Sequence, residues 1–220
     1  MDQALQHLLQ AGTPVISDVF DSLGQLPRVL NPRLFALKGS GHGFVGPAYT
    51  VQGESHAWSG GGDRAKLAAI DAMPAGVVSI WAGGDIRGVC CFGDLLGGAM
   101  RTRGCAGVVV DGGVRDVAYL SGIDLPIVAR YVTPAQAIGR WRVTASQVPV
   151  RVTGALEDWV TVTPGDIMVA DDDGVVVVPQ RQLDDIVGLV IEWSQGESGA
   201  RRDILAGMPL LVALEKYGHL

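Results

Sequence analysis

The sequence predicts an α/β protein, and three features carry that assignment. Short continuous apolar runs at residues 77–81, 106–111 and 127–130 have the length and β-branched content of strands buried on both faces. Helix-length stretches with capping signals stand between them, 64–72 behind Asp63 and 95–103 behind Asp94. Alternating half-apolar runs at 148–152 and 159–163 read as strands exposed on one face.

Taken in order, the chain opens with two short helices, residues 2–10 and the segment after Thr13-Pro14. Thr13 can cap the second, and Pro14 suits its first helical position. Asp18 and Asp21 fall on its exposed side. Prolines at 27 and 32 break regularity across 26–37, which predicts a loop or short turns. Gly41-His42-Gly43-Phe44-Val45-Gly46 matches the dinucleotide fingerprint G-x-G-x-x-G. Pro47 and the strand pattern Ala48-Tyr49-Thr50-Val51 follow it, however, where that motif needs a helix, so no nucleotide loop is expected. Gly60-Gly61-Gly62-Asp63 leads into helix 64–72 as either a plain turn or an anion nest of backbone amides.

Strand 77–81 runs out at Ala82-Gly83-Gly84-Asp85. The helix 95–103 ends at Gly104, which can take the left-handed conformation after the basic Arg101 and Arg103. Strand 106–111 is closed by Gly112-Gly113. Residues 116–121 form a short helix or turn, and 133–138 a turn or loop. Pro164-Gly165-Asp166 turns into strand 167–170, and Asp171-Asp172-Asp173-Gly174 into strand 175–178. The acidic turn lacks the alternating ligands and distal glutamate of a calcium loop. An amphipathic helix spans 182–193 and a second 199–205, and residues 210–220 are apolar enough to dock on another surface.

Composition narrows the function classes. The 220 residues fit one domain, or a compact domain with a terminal extension. With 48% apolar and only 18% charged residues, some apolar surface is expected to be buried between subunits. A net charge of −6 without a basic cluster argues against a nucleic-acid binder. No apolar run reaches the length of a membrane span and the start lacks a basic leader region, so a cytoplasmic, membrane-free protein is expected. The 3 cysteines match no zinc or redox spacing and are expected to be reduced and packed. The 4 histidines show no i, i+4 pairing, and no G-x-S-x-G elbow is present, which argues against zinc-protease and serine-hydrolase chemistry.

The stretch Gly93 to Asp116 gathers the chemistry. A nine-residue helix is roughly 13 Å long and a five- or six-residue strand roughly 17–20 Å, so the chain returns along the strand to about where the helix began. Asp94 at the helix start and Arg115-Asp116 past the strand then share the sheet edge where open α/β proteins bind ligands. Gly84 and Asp85 reach the same edge. Free N–H groups of Leu95 and Leu96 would offer an anion site beside Gly93. Arg115 would offer a two-pronged carboxylate binder, and Asp94 and Asp116 hard oxygen ligands for a divalent ion. Singly, Asp94 reads as a helix cap and Arg115-Asp116 as a surface turn; their convergence favours a site.

Asp94 followed after twenty residues by Arg115-Asp116 resembles the RraA-like family. So do ISDVFDSLG near the start, VGPAYTV, GDLL, GVVVDGGVRD and PGDIMVADDDGVVVVP, which spread the resemblance over roughly residues 13–210. That family includes class II 4-hydroxy-4-methyl-2-oxoglutarate aldolases, which also decarboxylate oxaloacetate, and regulators of ribonuclease E. The resemblance implies a single domain of three-layer β/β/α, swivelling-domain-like fold with mixed sheets. It also implies a homotrimer or hexamer, with the C-terminal helical segment from about 182 packing on a neighbouring subunit.

It further implies a carbon–carbon lyase acting on a small 2-oxo acid with Mg²⁺ or Mn²⁺. Asp116 would bind the metal directly and Asp94 through water, while Arg115 and the Gly93–Leu96 segment grip the substrate. Asp111 and the intact GDLL look more like the aldolase branch. A neighbouring subunit's C-terminal glutamate, Glu192 or Glu197, would help hold metal-bound water, although a solvated helix face accounts for either. Lys38, Lys66 and Lys216 are expected outside the site, in keeping with a reaction that needs no Schiff base. The competing class is a non-catalytic regulator that binds ribonuclease E or an RNA helicase.

Overall fold

The computed structural model describes residues 2–37, 43–57, 59, 61–82 and 86–218. Lys38, Gly41, His42, Gly60, Gly83, Gly84 and Asp85, named above, lie outside the described residues. In chain order the elements are α1 (Gln3–Ala11), α2 (Thr13–Ser22), β1 (Phe35–Ala36), β2 (Phe44–Ser55), α3 (Arg64–Asp71), β3 (Val78–Ala82), β4 (Cys90–Phe92) and α4 (Asp94–Thr102). There follow β5 (Gly107–Val114), α5 (Val117–Leu120), β6 (Ile127–Val132), β7 (Trp141–Ser146), β8 (Val150–Thr153), β9 (Trp159–Val162), β10 (Ile167–Ala170), β11 (Val175–Val178), α6 (Leu183–Leu205) and α7 (Leu210–Tyr217).

Strands β6, β5, β3 and the second part of β2 lie side by side in parallel. The short β4 adds to β5 in parallel, while β1 and β7 attach antiparallel to β6 and β2. The first part of β2, Phe44 to Pro47, pairs instead with β10, which forms an antiparallel hairpin with β11. One strand thus belongs to two sheets. β8 and β9 make a separate ribbon.

The alternation of side chains explains the layers. Trp81, Val108, Val110 and Ile127 point to one face, where they meet Ile70 of α3, Met100 of α4 and Leu120 of α5. Ile80, Val109 and Val128 point to the other, against Met168, Ala170, Val175 and Val177 and the β8–β9 ribbon. The outer face of the β10–β11 hairpin, Ile167, Val169, Val176 and Val178, is covered by Leu8, Ile16, Phe20, Ile186 and Val190 of the terminal helices. This is the mixed α/β, β/β/α layering that the resemblance implied. No helix among the described residues is long and apolar enough to cross a membrane.

Three expectations need correction. Leu183–Leu205 form one 23-residue helix, where two, 182–193 and 199–205, were expected. Glycine within a helix costs only about 1 kcal/mol, and at Gly199 a side chain would press on the Tyr217 ring of α7, 3.0 Å from where its Cβ would sit. Thr13 is not the cap of α2; Gly12 is. The Thr13 N–H and hydroxyl instead donate to the Asp171 carboxylate, at 2.6 and 2.7 Å, so the acidic turn ties down the N-terminal helices. Strands β4 and β7 were not anticipated; the first is three residues long, and the second alternates with Trp141 and Val143 buried.

Asp111 does structural work. It is 1% exposed and accepts from Arg130 Nε at 2.8 Å and from the Thr153 N–H and hydroxyl at 2.8 and 2.9 Å, joining β5, β6 and β8. Asp111→Ala strands a guanidinium and a backbone N–H together. It is expected to lower unfolding free energy by about 3 kcal/mol, measured by urea denaturation.

Candidate active site

The N-terminus of α4 and the chain leaving β5 come together as the sequence order required. The Asp94 N–H donates to Asp116 Oδ2 at 3.1 Å. Arg115 Nε lies 3.3 Å from the same oxygen, and the Arg115 N–H donates to the Phe92 carbonyl at 3.2 Å. Asp116 occupies the left-handed region, φ 58° and ψ 39°, a conformation uncommon for residues other than glycine. That turn swings its carboxylate back toward the helix. Gly93 makes room: a Cβ there would collide with Asp116 Oδ2 and come within 2.9 Å of Arg115 Cγ.

A cavity of about 190 Å³ opens beside this junction. Gly93, Asp94, Leu95, Leu96 and Arg115 line it, together with Gly62 and Asp63 ahead of α3. Among the described residues Asp116 does not line it; its carboxylate lies behind, against the helix start. Arg115 Nε is closed off from solvent while the side chain as a whole is 40% exposed, so the exposure falls on the rest of the side chain. Nε thus faces Asp116 in an ion pair without a hydrogen bond, and the side chain keeps exposed surface with which to meet a carboxylate.

Two parts of the predicted anion site change. Gly93, not Asp94, is the N-cap, and Asp94 is the first helical residue. Its Oδ1 accepts the Leu95 N–H at 2.7 Å, so that amide is already engaged and the Asp94 N–H is taken by Asp116. Asp94 is nevertheless placed well, since a carboxylate in the first helical turn meets the positive end of the dipole.

The expectation that every lysine lies outside the site also fails. Lys66, 5% exposed, lines the same cavity; its Nζ donates to the Cys91 carbonyl at 2.9 Å and sits 4.9 Å from the Trp141 ring centroid. No motif in the sequence marks it: Lys66 is the third residue of α3, and Cys91 and Trp141 become its neighbours only on folding. Leu67, the β4 residues 90–92 and residues 136–138 also line the cavity and carried no motif. Lys216 pairs with Asp203, and Glu197 with Arg201 at 3.7 Å; Glu192 is exposed. Among the described residues of one chain, neither glutamate joins a cluster of metal-ligating side chains.

The donor chemistry can be tested against a metal. Among the described residues no group of three or more His, Cys, Asp or Glu side chains converges, so a closed, all-protein site of the zinc kind is not formed. Asp94 Oδ2 and Asp116 Oδ1 have no hydrogen-bond partner among the described residues. Two carboxylates suit a hard ion that keeps most of its water, as Mg²⁺ does.

The cysteines are free and buried. Burial pushes the Cys91 thiol up from 9.0 to about 12, and raises Cys90 and Cys105 as well. None should react with a disulfide reagent at pH 8 until urea unfolds the chain. The unfolded thiols lose their protons first, so stability should fall as pH climbs from about 9 toward 12. Thiol titration and denaturation against pH check both.

With this geometry in view, comparison with known proteins is specific. Residues 13–177 match the RraA-like family, described as aldolase/RraA. A protein of Halalkalibacterium halodurans named provisionally as a 4-hydroxy-4-methyl-2-oxoglutarate aldolase is 33% identical over 210 residues, 94% of this chain and 91% of that one. Protein DlpA of Legionella pneumophila is 30% identical over 220 residues, 99% of this chain; the chain spans 34% of DlpA's length. Among solved structures, an uncharacterised protein of Pseudomonas syringae pv. tomato superposes with TM-score 0.84 at 28% identity, covering 99% of this chain and 95% of that one. The chain belongs to the RraA-like family.

Proposed function

We propose that this protein is a divalent-metal-dependent lyase that cleaves 2-oxo acids of the 4-hydroxy-4-methyl-2-oxoglutarate type to pyruvate and decarboxylates oxaloacetate at the same site. The observation that carries this reading is the junction of Arg115, Asp116 and the α4 N-terminus beside one cavity, which Arg115 and Asp94 line. A 33% identical relative named for that aldolase activity supports it.

Both reactions break a carbon–carbon bond next to the carbon that becomes C3 of pyruvate and leave negative charge on the 2-oxo oxygen. A bound divalent ion would supply positive charge to that oxygen. Asp116, assisted by Asp94, would hold the ion. Arg115 grips the C1 carboxylate and fixes the 2-oxo group in line with it. Asp94 Oδ2, the oxygen not engaged by Leu95, can exchange a proton with a neighbouring water. The aldol cleavage removes the proton of the C4 hydroxyl as the C3–C4 bond breaks, and C3 is then protonated to give pyruvate.

A homotrimer or hexamer remains part of this proposal. Leu210, Leu211, Val212 and Leu214 of α7 are exposed in the single chain, an apolar strip that a neighbouring copy would cover.

Pyruvate release from oxaloacetate is expected with Mg²⁺ or Mn²⁺ and is expected to stop on addition of EDTA. Turnover indifferent to the chelator refutes the mechanism, and no turnover with any metal favours the regulator branch of the family. Asp116→Ala should abolish turnover and its metal dependence together, followed in the same coupled assay. Arg115→Ala should lower kcat/KM about 100-fold, roughly 3 kcal/mol, chiefly through substrate binding.

A further inference from the structure

Lys66 is the one cationic side chain lining the cavity, among the described residues, that the reaction above leaves without a task. It projects from α3, stacks its ammonium over Trp141 and spends one hydrogen bond on the Cys91 carbonyl. An ammonium carries three donors. Asp63, the acidic group nearest in sequence, has both oxygens occupied, Oδ1 by the Lys66 N–H at 3.1 Å and Oδ2 by the Val143 N–H at 2.8 Å. Among the described residues no carboxylate forms an ion pair with Lys66 Nζ. Burial pushes its pKa below the usual 10.5, and the positive charge of Arg115 acts in the same direction.

A lysine kept only for packing ends in water or on a carboxylate, because a buried unpaired ammonium is costly. Lys66 ends at the wall of a cavity it shares with Arg115. Two cations from separate elements, α3 and the turn after β5, therefore face one space of about 190 Å³. The 2-oxo carboxylate answers Arg115 alone. A second anionic group on the occupant would offset the desolvation of Lys66 and its repulsion from Arg115, through charge-assisted hydrogen bonds to the two remaining donors.

We propose that Lys66 binds a second carboxylate of the substrate, so that the site takes dianionic 2-oxo acids in preference to monoanionic ones; this rests on the 2-oxo acid reading above. Lys66 is then the residue that sets which 2-oxo acids are accepted. It performs no bond cleavage, and the pyruvate unit common to all of them is held by other groups.

The test is calorimetric titration of the full chain in Mg²⁺ with pyruvate, with 2-oxoglutarate and with the distal monomethyl ester of 2-oxoglutarate. The protein should bind the diacid about tenfold or more tighter than the ester. Lys66→Met keeps an unbranched side chain of similar length without the charge and should remove that preference, shifting pyruvate affinity less than about twofold, while Lys66→Arg should retain most of it. Equal binding of diacid and ester by the unaltered protein overturns the proposal without recourse to any variant. So does a loss of pyruvate affinity in Lys66→Met as large as the loss of diacid affinity. Binding of pyruvate with no gain from the second carboxylate sinks only the role of Lys66, whereas binding of none of the three ligands sinks the 2-oxo acid reading and this proposal with it.

Discussion

The contact between the Asp116 carboxylate and the first amide of α4 is the constraint on which the site depends. It joins two points 22 residues apart in sequence and requires two local concessions. Asp116 adopts a left-handed conformation, which costs roughly 1 kcal/mol or more for a residue with a side chain. Gly93 gives up its side chain so that the carboxylate and the Arg115 stem can occupy the space in front of the helix. In return a negative group meets the positive end of a helix dipole and a guanidinium at once. Strain at one backbone position and absence of a Cβ at another make sense together, as the cost of holding a charged pair at a fixed place.

The cavity beside that contact is electrostatically mixed. Asp94 and Arg115 lie at one junction, while Lys66 is sunk against Trp141 behind a wall of protonated thiols. The thiols are held neutral by burial, so they contribute shape without charge. The sheet underneath is rigid packing of valine and isoleucine, and Asp111 is consumed in tying three strands, with its oxygens engaged by Arg130 and Thr153. Asp111, with both oxygens bonded, builds the scaffold, whereas Asp94 and Asp116 at the α4 junction each keep one oxygen without a hydrogen-bond partner among the described residues.

Much of this was legible in residues alone. The parallel strands announced themselves as apolar runs, and the return of β5 to the start of α4 followed from the lengths of the two elements. Chain order does not reveal which side chains fill the space between elements. Lys66, Cys90, Cys91 and residues 136–138 reach the cavity from α3, β4 and the loop before β7, segments that are neighbours only after folding. The cap of α4 was misplaced by one residue because an aspartate is the commoner cap, and here a tertiary clash selects glycine instead. The break expected in α6 failed for a related reason: packing against Tyr217 rewards the glycine that propensity alone would penalise.

Strand β2 is hydrogen-bonded to β10 over its first residues and to β3 and β7 over the rest, so a single ribbon of backbone threads both sheets. The two layers consequently share a phase. Since side chains alternate with a period of two, an inserted residue near Gly46 would turn the remainder of the strand inside out, presenting Tyr49 and Val51 to the wrong layer. The count of residues along that strand cannot be edited without rewriting two hydrophobic interiors together.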